Sequence, residues 1–334
     1  MAGSTPKKNA RKKHTGKKSQ GPQKQKPHGD AQKAHVSRDP AHVEKATLGD
    51  WIGAARLRTL PLAVAPVIIG TGAALIPDVP FHWVIALCCL VLAVSIQIGV
   101  NYANDYSDGI RGTDDHRVGP ARLTASGTAS PRAVLTAALA FFGIAAVAGL
   151  AIIIRTGHWW MLLVGAACLA AAWFYTGGKR PYGYAGLGEL FVFVFFGLVA
   201  TVGTTYVQAD AVPQESWFGG VVAGLFACAV LLANNLRDID QDRLSGKRTL
   251  TVRIGKRATQ VVFTVFMLVP FAIVAFLAQF YPRAWLGLLA LIPALCAVLI
   301  VWTYRRPREL VVALSLTSLT SLAVAIFLFV AFAL

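Results

Sequence analysis

The sequence predicts an all-α, polytopic membrane protein of about nine transmembrane helices, on three observations. Hydrophobic residues make up 55% of the 334 and charged residues only 14%. An ordinary soluble domain is about a quarter charged, and a soluble fold of this length has too little interior to hide so much apolar surface. Runs of about 20 apolar residues recur along the chain, the length that crosses a bilayer as a helix. The runs are apolar all round rather than alternating, which excludes the strands of a membrane β-barrel.

Nine runs follow in order, at 54–76, 82–104, 131–154, 158–176, 185–207, 217–237, 257–279, 284–303 and 309–333. Pro61, Pro66, Pro270 and Pro293 fall inside them and are tolerated where neighbouring helices re-satisfy the freed backbone groups. The five cysteines (Cys88, Cys89, Cys168, Cys228 and Cys296) all lie in apolar runs and form no Cys-x-x-Cys pair, so they read as small packing residues.

The formal charge of +16 suggests a nucleic-acid partner until its distribution is read. Residues 1–45 hold 12 Lys+Arg against 3 Asp+Glu, with no apolar periodicity. They are expected to form a disordered, solvated basic tail, without the apolar segment of a cleavable signal, ahead of a membrane domain over 46–334. No nucleic acid is expected as a partner. Of the 32 Lys+Arg, 30 fall in the tail or at one end of the runs; only Arg155 and Arg283 fall at the other. The positive-inside rule then puts the N-terminus and those loops in the cytoplasm and the C-terminus outside, as an odd number of spans requires.

Two acidic stretches lie on that basic side. The first is Asn101-Tyr102-Ala103-Asn104-Asp105-Tyr106-Ser107-Asp108. If the helix continues through it, Asn101, Asn104, Asp105 and Asp108 stand at i, i+3, i+4 and i+7 on one face. The second closes the sixth run, where Asn234, Asp238 and Asp242 share a face and Asp240 does not. Carboxylates this close repel unless a cation lies between them. Magnesium uses one or two carboxylates together with water and phosphate oxygens. Two facing clusters are therefore expected to hold Mg²⁺ on a diphosphate, with Asp105, Asp108, Asp238 and Asp242 as ligands and Asn101, Asn104 and Asn234 as polar neighbours. Solvated loop carboxylates are the bland alternative, disfavoured because ionisable groups at intramembrane helix ends are costly. Arg111, Arg122, Lys179, Arg237 and Lys247 share the basic side and are suited to neutralising a diphosphate. Lys179, Arg237 and Lys247 are favoured because they flank helix ends or glycine turns. Asp114 and Asp115 either cap the loop or add a ligand, and His116 reads as a loop residue in preference to a catalytic one.

These two motifs, four helices apart, resemble those of the UbiA-type aromatic prenyltransferase superfamily over about residues 50–334. Three stretches are similar to the branch that prenylates 1,4-dihydroxy-2-naphthoate in menaquinone synthesis: Asn104–Asp108 running on to Asp114, Arg117–Gly127, and Tyr175–Pro181 with Gly186–Glu189. Arg56–Pro61 and Gly246–Leu250 also fit. Where the general pattern has a third acid, four residues after Asp108, this chain has Gly112, with Asp114 two residues on, a shift typical of that branch.

The resemblance implies a ring of nine helices around a central cavity, with the acidic motifs at its cytoplasmic mouth and a side opening to lipid. It also implies a multi-pass protein of a bacterial inner membrane. The chemistry implied is transfer of a long prenyl chain from a polyprenyl diphosphate to the naphthoate. Mg²⁺ and basic residues, Lys179 among them, stabilise the departing diphosphate. The ring then attacks the allylic cation and loses its carboxylate as CO₂, giving demethylmenaquinone. Glu189 either contacts the naphthoate or acts as a base, or is an acid favoured at a helix N-terminus. Tyr102, Phe174 and Tyr175 either shield the cation or pack. The alternatives are an enzyme for another acceptor (4-hydroxybenzoate or homogentisate) and a secondary transporter. The naphthoate-like stretches oppose the first. Acids gathered at one mouth, rather than at mid-membrane, oppose the second.

Overall fold

The computed structural model describes residues 45–112, 122–179 and 181–334, and these contain helices and turns but no strand. The expected tail over 1–45 lies almost wholly outside the described residues, as do Asp114, Asp115, His116 and Arg180. In chain order, α1 (Leu48–Ala54) and α2 (Pro61–Ala74) are followed by α3 (Trp83–Arg111), α4 (Pro131–Thr156), α5 (Met161–Phe174) and α6 (Gly188–Ala209). Then come α7 (Gln214–Arg237), the short α8 (Ile239–Leu244), α9 (Leu250–Leu277), α10 (Pro282–Thr303) and α11 (Pro307–Ala333).

Seven of these helices are long and apolar enough to cross a membrane. The other two predicted spans depart from a simple helix. The first is a broken pair: the segment Leu48–Thr59 meets α2 at 47°. Pro61, at the first position of α2, has no N–H with which to continue the ladder, and Arg56 just before it stands in the left-handed region at φ 57°. The fourth, α5, has 14 residues. At 1.5 Å per residue it spans about 21 Å, short of the roughly 30 Å hydrocarbon core. The nine predicted runs thus each meet helix, two of them in altered form.

Local signals set the ends. Ser130 caps α4 by accepting from the Ala133 N–H (3.2 Å), and Pro131 follows at the first helical position. Five exposed tryptophans, Trp83, Trp159, Trp160, Trp217 and Trp285, lie near the ends of the spans opposite the acidic motifs. This is the aromatic belt of a membrane interface.

α7 is the most buried span and packs on α2, α9 and α11 through Phe226, Leu232, Leu236, Phe263, Met267 and Leu328. A second cluster joins α3 to α4 and α1 around Tyr102, Ala103, Val134 and Ala138. α6 meets α7 along a π-helical stretch over Phe193–Val199. There Gly197 comes so close that a Cβ would lie 2.6 Å from both the Gly220 carbonyl oxygen and the Gly224 Cα. Small residues let membrane helices approach in this way. Gly197→Val is expected to cost about 2 kcal/mol by overpacking and to lower the unfolding temperature in detergent. Gly203→Val, with nothing within 4 Å of its added Cβ, should leave that temperature unchanged.

Candidate active site

The last turn of α3, the end of α7 with α8, and three loops meet at one end of the bundle. The helix does run on through the first acidic stretch, so its residues fan out at about 100° each. Asn104 and Asp108 fall toward the mouth. Asp105, 100° round from Asn104, faces the loop that returns from residue 122. Its carboxylate is fully buried and accepts from the Leu123 N–H at Oδ2 and the Thr124 N–H at Oδ1, both at 2.9 Å. Asp105 does not line the mouth.

The mouth is lined by Asn104, Asp108, Asn234, Asn235, Asp238, Gln241 and Asp242 among the acids and amides, and by Arg56, Arg122 and Lys247 among the bases. Asp108 is its hub. Lys247 Nζ stands 3.0 Å from Asp108 Oδ1, Arg122 Nη2 stands 3.5 Å from Oδ2, and the Tyr184 hydroxyl donates to Oδ1. Lys247 also lies over the Tyr184 ring, 4.6 Å from its centroid. Burial, the Asp108 charge and the hydrogen bond to it push the Tyr184 phenol well above its ordinary range, so it remains a donor at neutral pH. The loops brace one another: the Arg248 N–H donates to the Tyr184 carbonyl (2.9 Å) and the Lys247 N–H to the Asp242 carbonyl (2.9 Å).

α7 and α8 break at Asp238, yet the Asp242 N–H still donates to the Asp238 carbonyl (2.8 Å), so the two acids keep one face. Asp240 points away, its side chain 90% exposed. Arg237 grips Asp238 with two bonds, Nε to Oδ1 at 2.7 Å and Nη2 to Oδ2 at 2.6 Å.

Other candidates stand elsewhere. Asn101 donates to the Ala55 carbonyl (2.9 Å) and ties the broken first span to α3. Arg111 is exposed and bonds the Ser107 hydroxyl and the Thr176 and Gly178 carbonyls, so it fastens the glycine turn rather than facing the mouth. Lys179 is exposed and lines neither the mouth nor the chamber beneath it, because the turn at Gly178 (φ 75°) carries the chain outward. Glu189 is buried against Asn235, whose Nδ2 donates to it at 3.1 Å, and also lines neither. Tyr102 packs between Trp51 and Phe141, Phe174 is 52% exposed, and Tyr175 alone of the three aromatics lines mouth and chamber. Tyr184, Thr176, Gln241 and Arg56 line the mouth without having been singled out from the sequence. No spacing rule marks them: Tyr184, Thr176 and Arg56 arrive from separate loops, and Gln241 lies on α8 off the four-residue spacing of the acids.

Beneath the mouth lies a chamber of about 1100 Å³, just above the usual range for small-molecule sites. Asn104, Arg122 and Asn234 line its polar end, and Phe195, Val199, Trp160 and Trp217 carry it toward the tryptophan belt. A charged pocket thus opens into an apolar chamber within an integral membrane protein.

The chain belongs to the UbiA prenyltransferase family, whose sequence profile matches residues 63–319. It is 48% identical over 277 residues to the 1,4-dihydroxy-2-naphthoate octaprenyltransferase of Mycobacterium tuberculosis, covering 83% of this chain and 94% of that one. It is 39% identical over 212 residues to the enzyme of the same name from Escherichia coli, covering 62% and 68%. Its fold is similar to a UbiA homolog from Aeropyrum pernix K1 (TM-score 0.63, 16% identity, 83% and 97% covered). It is also similar to one from Archaeoglobus fulgidus solved with GPP and Mg²⁺ bound (TM-score 0.62, 13% identity, 85% and 100% covered).

Removing one partner of a buried ion pair leaves a charge without its counter-ion, at a cost of about 3 kcal/mol. Arg237→Met should therefore lower the unfolding temperature in detergent sharply, and Arg237→Met combined with Asp238→Asn should recover part of the loss.

Proposed function

We propose that the protein transfers a long prenyl chain from a polyprenyl diphosphate to 1,4-dihydroxy-2-naphthoate in a Mg²⁺-dependent reaction, with loss of the ring carboxylate as CO₂, giving demethylmenaquinone. One observation carries this reading: the mouth of acids and bases opens straight onto the apolar chamber. A substrate with a diphosphate head and a hydrocarbon tail satisfies both at once. The acceptor is chosen on the mycobacterial and Escherichia coli relatives, which are named for it.

The donor set suits magnesium. Asp108, Asp238 and Asp242, with Asn104, Asn234 and Gln241, offer only oxygen among their acceptor atoms, and among the described residues no thiol or imidazole lines the mouth. Among the described residues no three acidic, His or Cys side chains close on a single point. A magnesium site completed by phosphate oxygens and water needs fewer. Asp105, turned to the loop, is left out of this ligand set, and Lys179 out of the catalytic groups. Bound there, the metal would supply positive charge to the departing diphosphate.

The chain's own residues do the rest. Lys247 and Arg122, held at Asp108, are placed to take the diphosphate oxygens, and charge-assisted bonds of this kind are the strong ones. The chamber walls keep water from the allylic cation while the ring approaches. Tyr175 lines both mouth and chamber, and a cation–π contact from its ring is suited to stabilising developing charge there. The surplus of Lys+Arg at the mouth end directs it to the cytoplasm of a bacterial inner membrane and the C-terminus outside. Residues 1–45 are accessory to catalysis.

Purified protein in detergent with a polyprenyl diphosphate, the naphthoate and Mg²⁺ should yield prenylated product by mass, with CO₂ release, and none with EDTA. Product with 4-hydroxybenzoate but none with the naphthoate would overturn the acceptor. Asp238→Asn and Asp242→Asn should each lower kcat/KM at least about a hundredfold. Lys247→Ala should chiefly raise KM for the diphosphate, by about tenfold.

A further inference from the structure

Asp105 is the first acid of the first motif, yet its surroundings are those of an anchor. Its carboxylate is fully buried, and each oxygen takes a separate backbone N–H of the returning loop. The loop is stiff. The Ser126 N–H donates to the Arg122 carbonyl (2.9 Å), the Ala129 N–H to the Leu123 carbonyl (3.2 Å), and the Ser126 and Thr128 hydroxyls bond each other (2.8 Å). It also seats directly on α3. A Cβ at Gly109 would lie 2.4 Å from Thr124 Cγ2 and 3.2 Å from the Ala125 nitrogen, so only glycine admits the loop there. A loop pinned at residues 123 and 124, with the Arg122 carbonyl itself bonded to the Ser126 N–H, fixes where the backbone of residue 122 stands. Arg122 is thereby held at Asp108, lining both the mouth and the chamber.

We infer that Asp105 is a positioning residue that sets Arg122 through the Leu123 and Thr124 amides, and that it is not a metal ligand. The inference rests on the reading of the mouth as a diphosphate site. Two converging N–H donors require two acceptors. A carboxylate supplies them. An asparagine of the same shape supplies one and turns an NH₂ against the other N–H. The acid at this position is explained by the loop without a cation.

Two variants and two comparators test it. Asp105→Asn removes the anchor. Gly109→Ala pushes the loop off α3 while leaving every carboxylate in place. Both should speed amide exchange at Leu123 and Thr124 and raise KM for the polyprenyl diphosphate by about tenfold, the effect of losing a charge-assisted hydrogen bond. Both should alter kcat less than KM. Asp105→Asn combined with Arg122→Ala should be no worse than Arg122→Ala alone, as for residues acting through one another. Mn²⁺ binding in the presence of inorganic pyrophosphate, followed by electron paramagnetic resonance, should match the parent protein in both variants and be lost in Asp108→Asn. Loss of Mn²⁺ binding in Asp105→Asn with the two amides still protected would overturn the inference and make Asp105 a ligand. So would Gly109→Ala with unchanged KM. If the parent protein binds no Mn²⁺ with pyrophosphate, the diphosphate reading fails by itself; amide exchange and the double variant still decide whether Asp105 holds the loop.

Discussion

The ion pair between Lys247 and Asp108, 3.0 Å across and almost wholly buried, is the contact on which the mouth depends. It joins residues far apart in the chain: the end of α3 to the loop after α8. Around it gather Arg122 from the loop before α4 and Tyr184 from the loop before α6. A buried carboxylate without counter-charges is costly, and one with several cations around it is held firmly. In the proposed function the cations that neutralise Asp108 are also suited to an anionic head group. Electrostatics that stabilise the folded end of the bundle therefore also preorganise it.

The chamber depends on a different constraint, the unequal packing of the bundle. α7 is close-packed with α2, α9 and α11 around Phe226 and Met267. On the other side the helices are irregular. The first span is broken, α5 is short, and α6 carries a π-helical stretch. Space is left where helices fail to lie flush, and side chains such as Phe195, Val199 and Trp160 line it. The close approach at Gly197 fixes α6 to α7 and so holds the chamber wall in place. One rigid face and one irregular face give a cavity without loosening the fold.

The spans were legible because hydrocarbon imposes length and all-round hydrophobicity on a helix, signals that sit in contiguous residues. The acidic stretches were legible for a related reason: carboxylates at helix ends are conspicuous against an apolar background, as Asp108, Asp238 and Asp242 show. Their helical spacing also separated Asp242 from Asp240 correctly. Spacing was less informative within α3. Asn104, Asp105 and Asp108 share an arc wide enough for two of them to face the mouth and one the loop, and only the loop's position decides which. Charge and a neighbouring glycine turn ranked Lys179 with Lys247, yet one lies on an outward turn and the other against a tyrosine ring.

The sequence by itself determined that this is an α-helical membrane protein with oxygen-rich acidic clusters at one end of its spans. These properties follow from composition and from residues within two helical turns of each other. Tertiary structure alone decided which charges meet. Tyr184, Lys247 and Arg122 come from three loops and reach Asp108 only after the helices have packed. Arg111 and Lys179, of the same charge and nearby in sequence, are turned to other work or to solvent. Periodicity sets the face on which a residue of a helix lies. A loop has no period, so the direction of its side chains is set by the hydrogen bonds that close it onto its neighbours.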